Sequence, residues 1–226
     1  MTATAEPVNV SATRYQLHML AEHLLARHRH DEVGETDLTW TPGGFGIPEL
    51  PGNLIFRVQP TGTGAELLLI TVCGAHHHEL TTLRAAADWY EMQFGAPARR
   101  LRPKTELHPD AELDIDPEAV RLIGDWFALG ATVLEKVAQE RVSLSPTRFA
   151  VCTEINKQGP RGRIPATIGA SAGDEDHPEP YLFLVPKRKR KCGVLEISRS
   201  EILAAGDEQA RHAAALKFFH EAIDLL

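Results

Sequence analysis

The densest set of chemically capable side chains in this 226-residue chain lies between Ile168 and Pro186. There Gly169, Ser171 and Gly173 lead into Asp174-Glu175-Asp176-His177-Pro178-Glu179-Pro180, and the apolar run Tyr181-Leu182-Phe183-Leu184-Val185 follows. Carboxylates beside an imidazole can hold a hard cation or divide acid and base roles between them. Glycine and proline keep this backbone out of regular structure, as in binding loops. Ser171, Asp174, Glu175, His177, Glu179 and Tyr181 are therefore candidate ligand-binding residues. The competing reading is a solvated acidic hairpin tip stiffened by Pro178 and Pro180. Gly169-Ala170-Ser171-Ala172-Gly173 also has the GxSxG spelling of a hydrolase nucleophile turn, but two prolines follow where that turn needs a helix. A small-residue turn is the expectation.

His76-His77-His78-Glu79 is the second candidate, since imidazoles and carboxylates suit zinc, iron or nickel. Alternate side chains of an extended backbone share a face, which makes His76 and His78 the candidate metal ligands. No HExxH motif is present, although His18 and Glu22 stand one helical turn apart. A solvated polar turn before a helix starting near Thr81 is the alternative. In the loop from Thr41 to Pro48, Gly43-Gly44-Phe45-Gly46 can present amides to an anion, without the Gly-Lys-Ser/Thr of a phosphate-binding loop. Phe45 either touches a ligand or closes the core, because leaving it in water is costly.

Lys187-Arg188-Lys189-Arg190-Lys191 could bind nucleic acid or an acidic partner, or could serve as a solvated connection that resists edge pairing. Arg99, Arg100, Arg102 and Lys104 form a second basic cluster. Against a main role in phosphate neutralisation stands the net charge of −7, from 24 basic and 31 acidic residues. The first helical stretch carries His18, Glu22, His23 and His28 and cannot be the apolar core of a signal peptide, and no run reaches membrane-spanning length. A cytoplasmic protein with no membrane association is expected. Cys73, Cys152 and Cys192 form no CxxC pair and read as reduced packing thiols.

These groups must be positioned by a recognisable order of elements. Three-four spacing of apolar residues predicts a helix from Ser11, its N-cap, to about His30. Strands follow near 35–41, 54–59 and 66–73, the last two as a hairpin, and a helix capped by Thr81 or Thr82 runs to Gly95. A Pro-rich, basic linker leads to Asp116, the N-cap of a helix from Pro117 to about Arg141 that is apolar on most of its circumference. Its small residues Gly124, Ala128 and Ala131 predict close packing by another element. Strand-like runs recur at 148–155, 164–170, 181–185 and 194–197, and a last helix begins after the cap at Asp207. The order predicts an α+β fold, a mainly antiparallel sheet against several helices, as one domain over 11–226 with two similar halves, 11–95 and 116–226.

Thr41-Pro42-Gly43-Gly44-Phe45-Gly46, Asp125-Trp126-Phe127-Ala128-Leu129-Gly130 and Gly169-Ala170-Ser171-Ala172-Gly173-Asp174-Glu175-Asp176-His177-Pro178-Glu179-Pro180-Tyr181 resemble segments of uncharacterised actinobacterial proteins. The likeness spans most of the chain and implies a single unit. It carries no activity, cofactor or catalytic residue with it. The functional expectation is a small-molecule-binding or accessory domain whose loops 41–48 and 169–181 line the site. The alternatives are a metal-dependent or acid/base enzyme using His76, His78, Asp174 and His177, and a binder of nucleic acid or an acidic partner through 187–191.

Overall fold

A computed structural model describes residues 10–138, 140–159, 162–187 and 193–226. Most of the basic run, Arg188 to Lys191, and Cys192 lie outside the described residues; Lys187 pairs with Glu154. The chain is α+β, with two five-stranded antiparallel sheets, each a simple meander with its own helices. The first half begins with α1 (Val10–Leu20), a π-helical turn (Ala21–Leu25) and α2 (Ala26–Val33), which ends on Gly34 in the left-handed conformation. Ser11 therefore lies inside α1 rather than capping it. Strands β1 (Thr39–Thr41), β2 (Gly44–Gly46), β3 (Ile55–Pro60), β4 (Ala65–Thr71) and β5 (Gly74–Glu79) follow, then α3 (Leu83–Trp89). Thr82 caps α3 by accepting from the Ala85 amide, and the helix stops well short of Gly95 because Glu91 takes a positive φ of 52°.

The second half repeats this plan. Asp116 accepts from the Glu118 and Ala119 amides and starts α4 (Pro117–Val137). Strands β6 (Ser143–Ser145), β7 (Ala150–Gly159), β8 (Gly162–Ser171), β9 (Tyr181–Pro186) and β10 (Leu195–Ser198) lead to α5 (Arg199–Leu203) and α6 (Glu208–Asp224), the latter capped by Asp207. The short elements β2, β6 and α5 are absent from the expectation because three- to five-residue segments show no periodicity.

Buried Leu38 and Leu144, just before β1 and within β6, exchange backbone hydrogen bonds of 2.8 and 3.0 Å, so the two sheets meet edge to edge. From this joint the strand order reads outward in the same way in both halves. Helix α4 lies over the joint, touching β1, β2 and β3 of one sheet and β7 and β8 of the other. A single apolar cluster accordingly joins Phe56 and Leu67 to Phe127, Ile168 and Leu184.

Two glycines of α4 make this position possible. A β-carbon at Gly124 would fall 2.3 Å from the Gly43 carbonyl carbon and 2.4 Å from the Gly44 nitrogen, and one at Gly130 would fall 2.3 Å from the Ala170 β-carbon. The close approach expected at Gly124 is real, and its partner is the Gly43-Gly44 segment. That segment is a tight turn entering β2, not an open loop, with Phe45 paired to Trp40 and Val58. Cys73 also departs from expectation: it is exposed in the β4–β5 turn, whereas Cys152 is half-buried and its thiol is pushed up by burial. Among the described residues no helix is long and apolar enough to cross a membrane.

Candidate functional site

A cavity of about 470 Å³ opens where α1 faces the second sheet. Helix α1 supplies Arg14, Tyr15 and His18, the connection before α4 supplies Lys104 and Thr105, and the β6–β7 turn supplies Thr147 and Arg148. The far wall is the end of β8 and its following loop, through Ser171 and Gly173 to Asp176, together with Tyr181, Phe183 and Val185 of β9 and Glu196 of β10.

The β8–β9 loop is held shut by one carboxylate and one guanidinium. Asp174 Oδ1 accepts from the amides of Asp176 (3.0 Å) and His177 (2.8 Å) and lies 3.1 Å from His177 Nδ1, while Oδ2 accepts from the Tyr181 hydroxyl at 2.7 Å. Burial pushes the Asp174 carboxyl up, but the donations from Tyr181 and His177 outweigh it and hold the group below the usual carboxylate range. Burial and the same bond to Asp174 push the Tyr181 phenol up, so it stays a donor. From α1, Arg14 donates to the carbonyls of Pro178 (2.8 Å) and Asp174 (2.9 Å). Gly173, at φ 98°, leaves space for this clamp, because a β-carbon there would stand 2.7 Å from Arg14 Nη1 and 2.8 Å from the His177 carbonyl oxygen.

The floor is aromatic. The His18 ring stacks on Phe149 with centroids 5.2 Å apart, and Phe149 meets Phe45 and Phe127 edge-on at 5.3 and 5.4 Å. Phe149 is buried and has a φ of 44°, a conformation disfavoured for a bulky residue and held by this packing.

The remaining wall depends on a buried carboxylate. Glu22 is fully inaccessible and accepts from the amides of Lys104 (2.8 Å) and Thr105 (2.9 Å) and from the Thr105 hydroxyl (2.7 Å). His18 Nε2 lies 3.4 Å from its Oε1 without hydrogen-bond alignment. Burial opposes ionisation of Glu22, but pairing with His18 and the donations from Thr105 and Lys104 win, and the carboxyl sits below its ordinary value. One residue on, His23 Nδ1 accepts from the Ala96 amide at 3.2 Å, so Nε2 carries the proton and donates to the Thr105 carbonyl at 3.0 Å. The π-helical turn places consecutive Glu22 and His23 against this connection, which is therefore docked rather than free.

Of the sequence candidates, Ser171, Asp174, Glu175 and Tyr181 line the cavity. Ser171 Oγ accepts from the Gly173 amide at 3.1 Å, and the residue belongs to β8 with no helix after it, so the geometry is that of a small-residue turn. His177 and Glu179 brace the loop instead: His177 Nε2 reaches Glu196 at 3.0 Å, and Glu179 accepts from the Ser200 hydroxyl and amide at the start of α5. Phe45 is 1% exposed and closes the core one aromatic layer beneath His18; the 41–48 segment does not line the cavity.

His76 and His78 sit on β5, a strand where a polar turn was the alternative, opposite Leu69 and Leu67. His78 stacks on Trp89 and its imidazole is pushed down by burial, while His77 bonds Glu66 at 3.0 Å. Neither candidate ligand lines the cavity that Asp174 lines, and among the described residues no three metal-ligating side chains converge. Arg14, Thr105, Arg148 and Glu196 gave no sequence signal; the one visible hint of this wall is the i, i+4 spacing of His18 and Glu22. No protein-family model, curated protein or solved structure matches the chain.

Proposed function

We propose that this chain is a binding module whose cavity between α1 and the second sheet takes a small polar molecule carrying both a negative and a positive group. The observation that carries the reading is the division of charge around the cavity. Lys104 and Arg148, from the connection and the β6–β7 turn, form no salt bridge among the described residues, and neither do Glu175 and Asp176 on the opposite loop. The other ionisable groups there have protein partners: Arg14 on two backbone carbonyls, Tyr15 on the Glu106 amide, His18 beside Glu22, Asp174 with Tyr181, and Glu196 with His177. Charges of both signs outside any salt bridge, around an aromatic floor, favour a zwitterion, which each wall attracts by one end. The volume of about 470 Å³ is suited to a metabolite-sized ligand.

Arg14, Asp174 and Tyr181 serve this reading by fixing the loop before the ligand arrives, which lowers the ordering cost of binding. Thermal-shift measurements with amino acids and dipeptides, beside their amides and their N-acetyl derivatives, test the idea. A ligand at about 100 times its Kd stabilises by about 2.7 kcal/mol. The expected result is a rise in Tm with free zwitterions, reduced in Arg148→Ala and in Glu175→Gln. Failure of every zwitterion to raise Tm, or a rise that neither substitution changes, would overturn the assignment.

A further inference from the structure

We infer that the molecule taken by the cavity carries an apolar side chain, which places it in the class of hydrophobic amino acids. The inference rests on the zwitterion reading above and adds what the sheet wall selects. Strand period puts Tyr181, Phe183 and Val185 of β9 on one face and Leu182 and Leu184 on the other. Leu182 and Leu184 are fully buried in the shared core, and Ala170, opposite Leu182, touches α4 at Gly130. Tyr181, Phe183 and Val185 therefore stand on the face turned away from α4, where they line the cavity.

An antiparallel strand with a helix on one face and water on the other alternates apolar and polar residues. Strand β7 obeys this rule: on the same face as Phe183 it carries Glu154, Asn156 and Gln158, all exposed. Strand β9 breaks it where it borders the cavity, being aromatic at Tyr181 and apolar at Phe183 and Val185. Gly169 widens this surface. A β-carbon there would stand 2.4 Å from Phe183 Cζ, so the Phe183 ring lies across β8, with the Tyr181 ring beside it at a centroid distance of 6.0 Å.

The polar groups of the sheet wall already have protein partners. Ser171 Oγ accepts from the Gly173 amide and pairs with the Tyr181 hydroxyl, Tyr181 donates to Asp174, and Glu196 is held by His177. A polar side chain laid against this wall would lose water and find no replacement partner, whereas an aliphatic or aromatic one is favoured by leaving water. Lys104, Arg148, Glu175 and Asp176 draw the charged ends, which leaves the sheet wall for the rest of the molecule.

Calorimetric titration of the full chain with glycine, asparagine, leucine and 3-methylbutanol separates charge from side chain. Leucine and asparagine have nearly the same shape, glycine has the charges alone, and 3-methylbutanol has the apolar group alone. Leucine should bind about tenfold more tightly than asparagine or glycine, with no measurable binding of 3-methylbutanol. Val185→Thr keeps the β-branched shape but puts a hydroxyl on the wall, and the preference for leucine over asparagine should fall about threefold. Equal affinity for the three amino acids, or an undiminished leucine preference in Val185→Thr, would overturn the apolar side chain while the zwitterion reading stands. Binding of 3-methylbutanol as tight as that of leucine, or no binding of any amino acid, would overturn the zwitterion reading and this inference with it.

Discussion

Glu22 allows the strongest test of how the first cavity is built, because a buried carboxylate holds a wall made by residues more than 80 positions away. Replacing it with alanine strands the Thr105 amide and hydroxyl, both buried, and frees the Lys104 amide toward water. At about 1–3 kcal/mol for each buried donor left unpaired, and allowing the hydroxyl to rotate to another acceptor, the loss should be about 3 kcal/mol. For a chain of this size that corresponds to a Tm lower by about 6–12 °C. Glu22→Gln keeps the shape but turns an amide N–H toward other donors, so it should cost about 1–3 kcal/mol.

The pH dependence has a defined sign. A carboxyl whose folded pKa lies below its unfolded value of about 4.5 gives stability that is complete above that value and is lost as pH falls through the folded pKa. The stability gap between wild type and Glu22→Gln should therefore be constant near neutrality and close as acid is added. Urea melts at several pH values measure the gap. Tryptic cleavage at Arg99, Arg100 and Lys104, which are exposed, reports release of the connection and should accelerate in both variants. A Glu22→Gln protein as stable as wild type, or a gap that does not change down to about pH 3, would refute the account of this wall.

Three further outcomes follow from the geometry. Gly124→Ala should destabilise by about 1–2 kcal/mol in a thermal melt, because overpacking against the Gly43-Gly44 backbone exceeds the roughly 1 kcal/mol that alanine gains in a helix; a higher Tm would contradict the packing. Tyr181→Phe removes the donor to Asp174 Oδ2, and the Asp174 carboxyl should titrate at higher pH by NMR than in wild type. Gly173→Ala puts a methyl into the Arg14 clamp, so amides of 174–178 should exchange faster with deuterium while those of α4 keep their protection.

What the sequence determined is what short-range chemistry controls. Asp116, Asp207 and Thr82 are caps because their oxygens accept from amides two or three residues on, and Gly34 stops α2 because it alone adopts the left-handed turn without cost. The apolar circumference of α4 marked it as central, and the β3–β4 hairpin, the mainly antiparallel pairing and the docking surface at Gly124 followed from residue types a few positions apart. The same locality explains the misplacements: the Phe45 glycine run looks like a loop because nothing nearby reveals that Gly46 must clear the Phe56 carbonyl oxygen, and the three histidines look like a turn because β4 is needed to draw them into a strand, on which His76 and His77 stay exposed.

The cavity was only half visible. Ser171, Asp174, Glu175 and Tyr181 stand together in the chain, but the guanidinium that locks their loop comes from 160 residues away, and the Glu22 wall spans 82 or more. Such contacts are set by how α1 lies over two joined sheets, a result of burying one shared core. Tertiary packing alone decided that His177 and Glu179 brace, that Phe45 supports from beneath, and that His76 and His78 lie elsewhere.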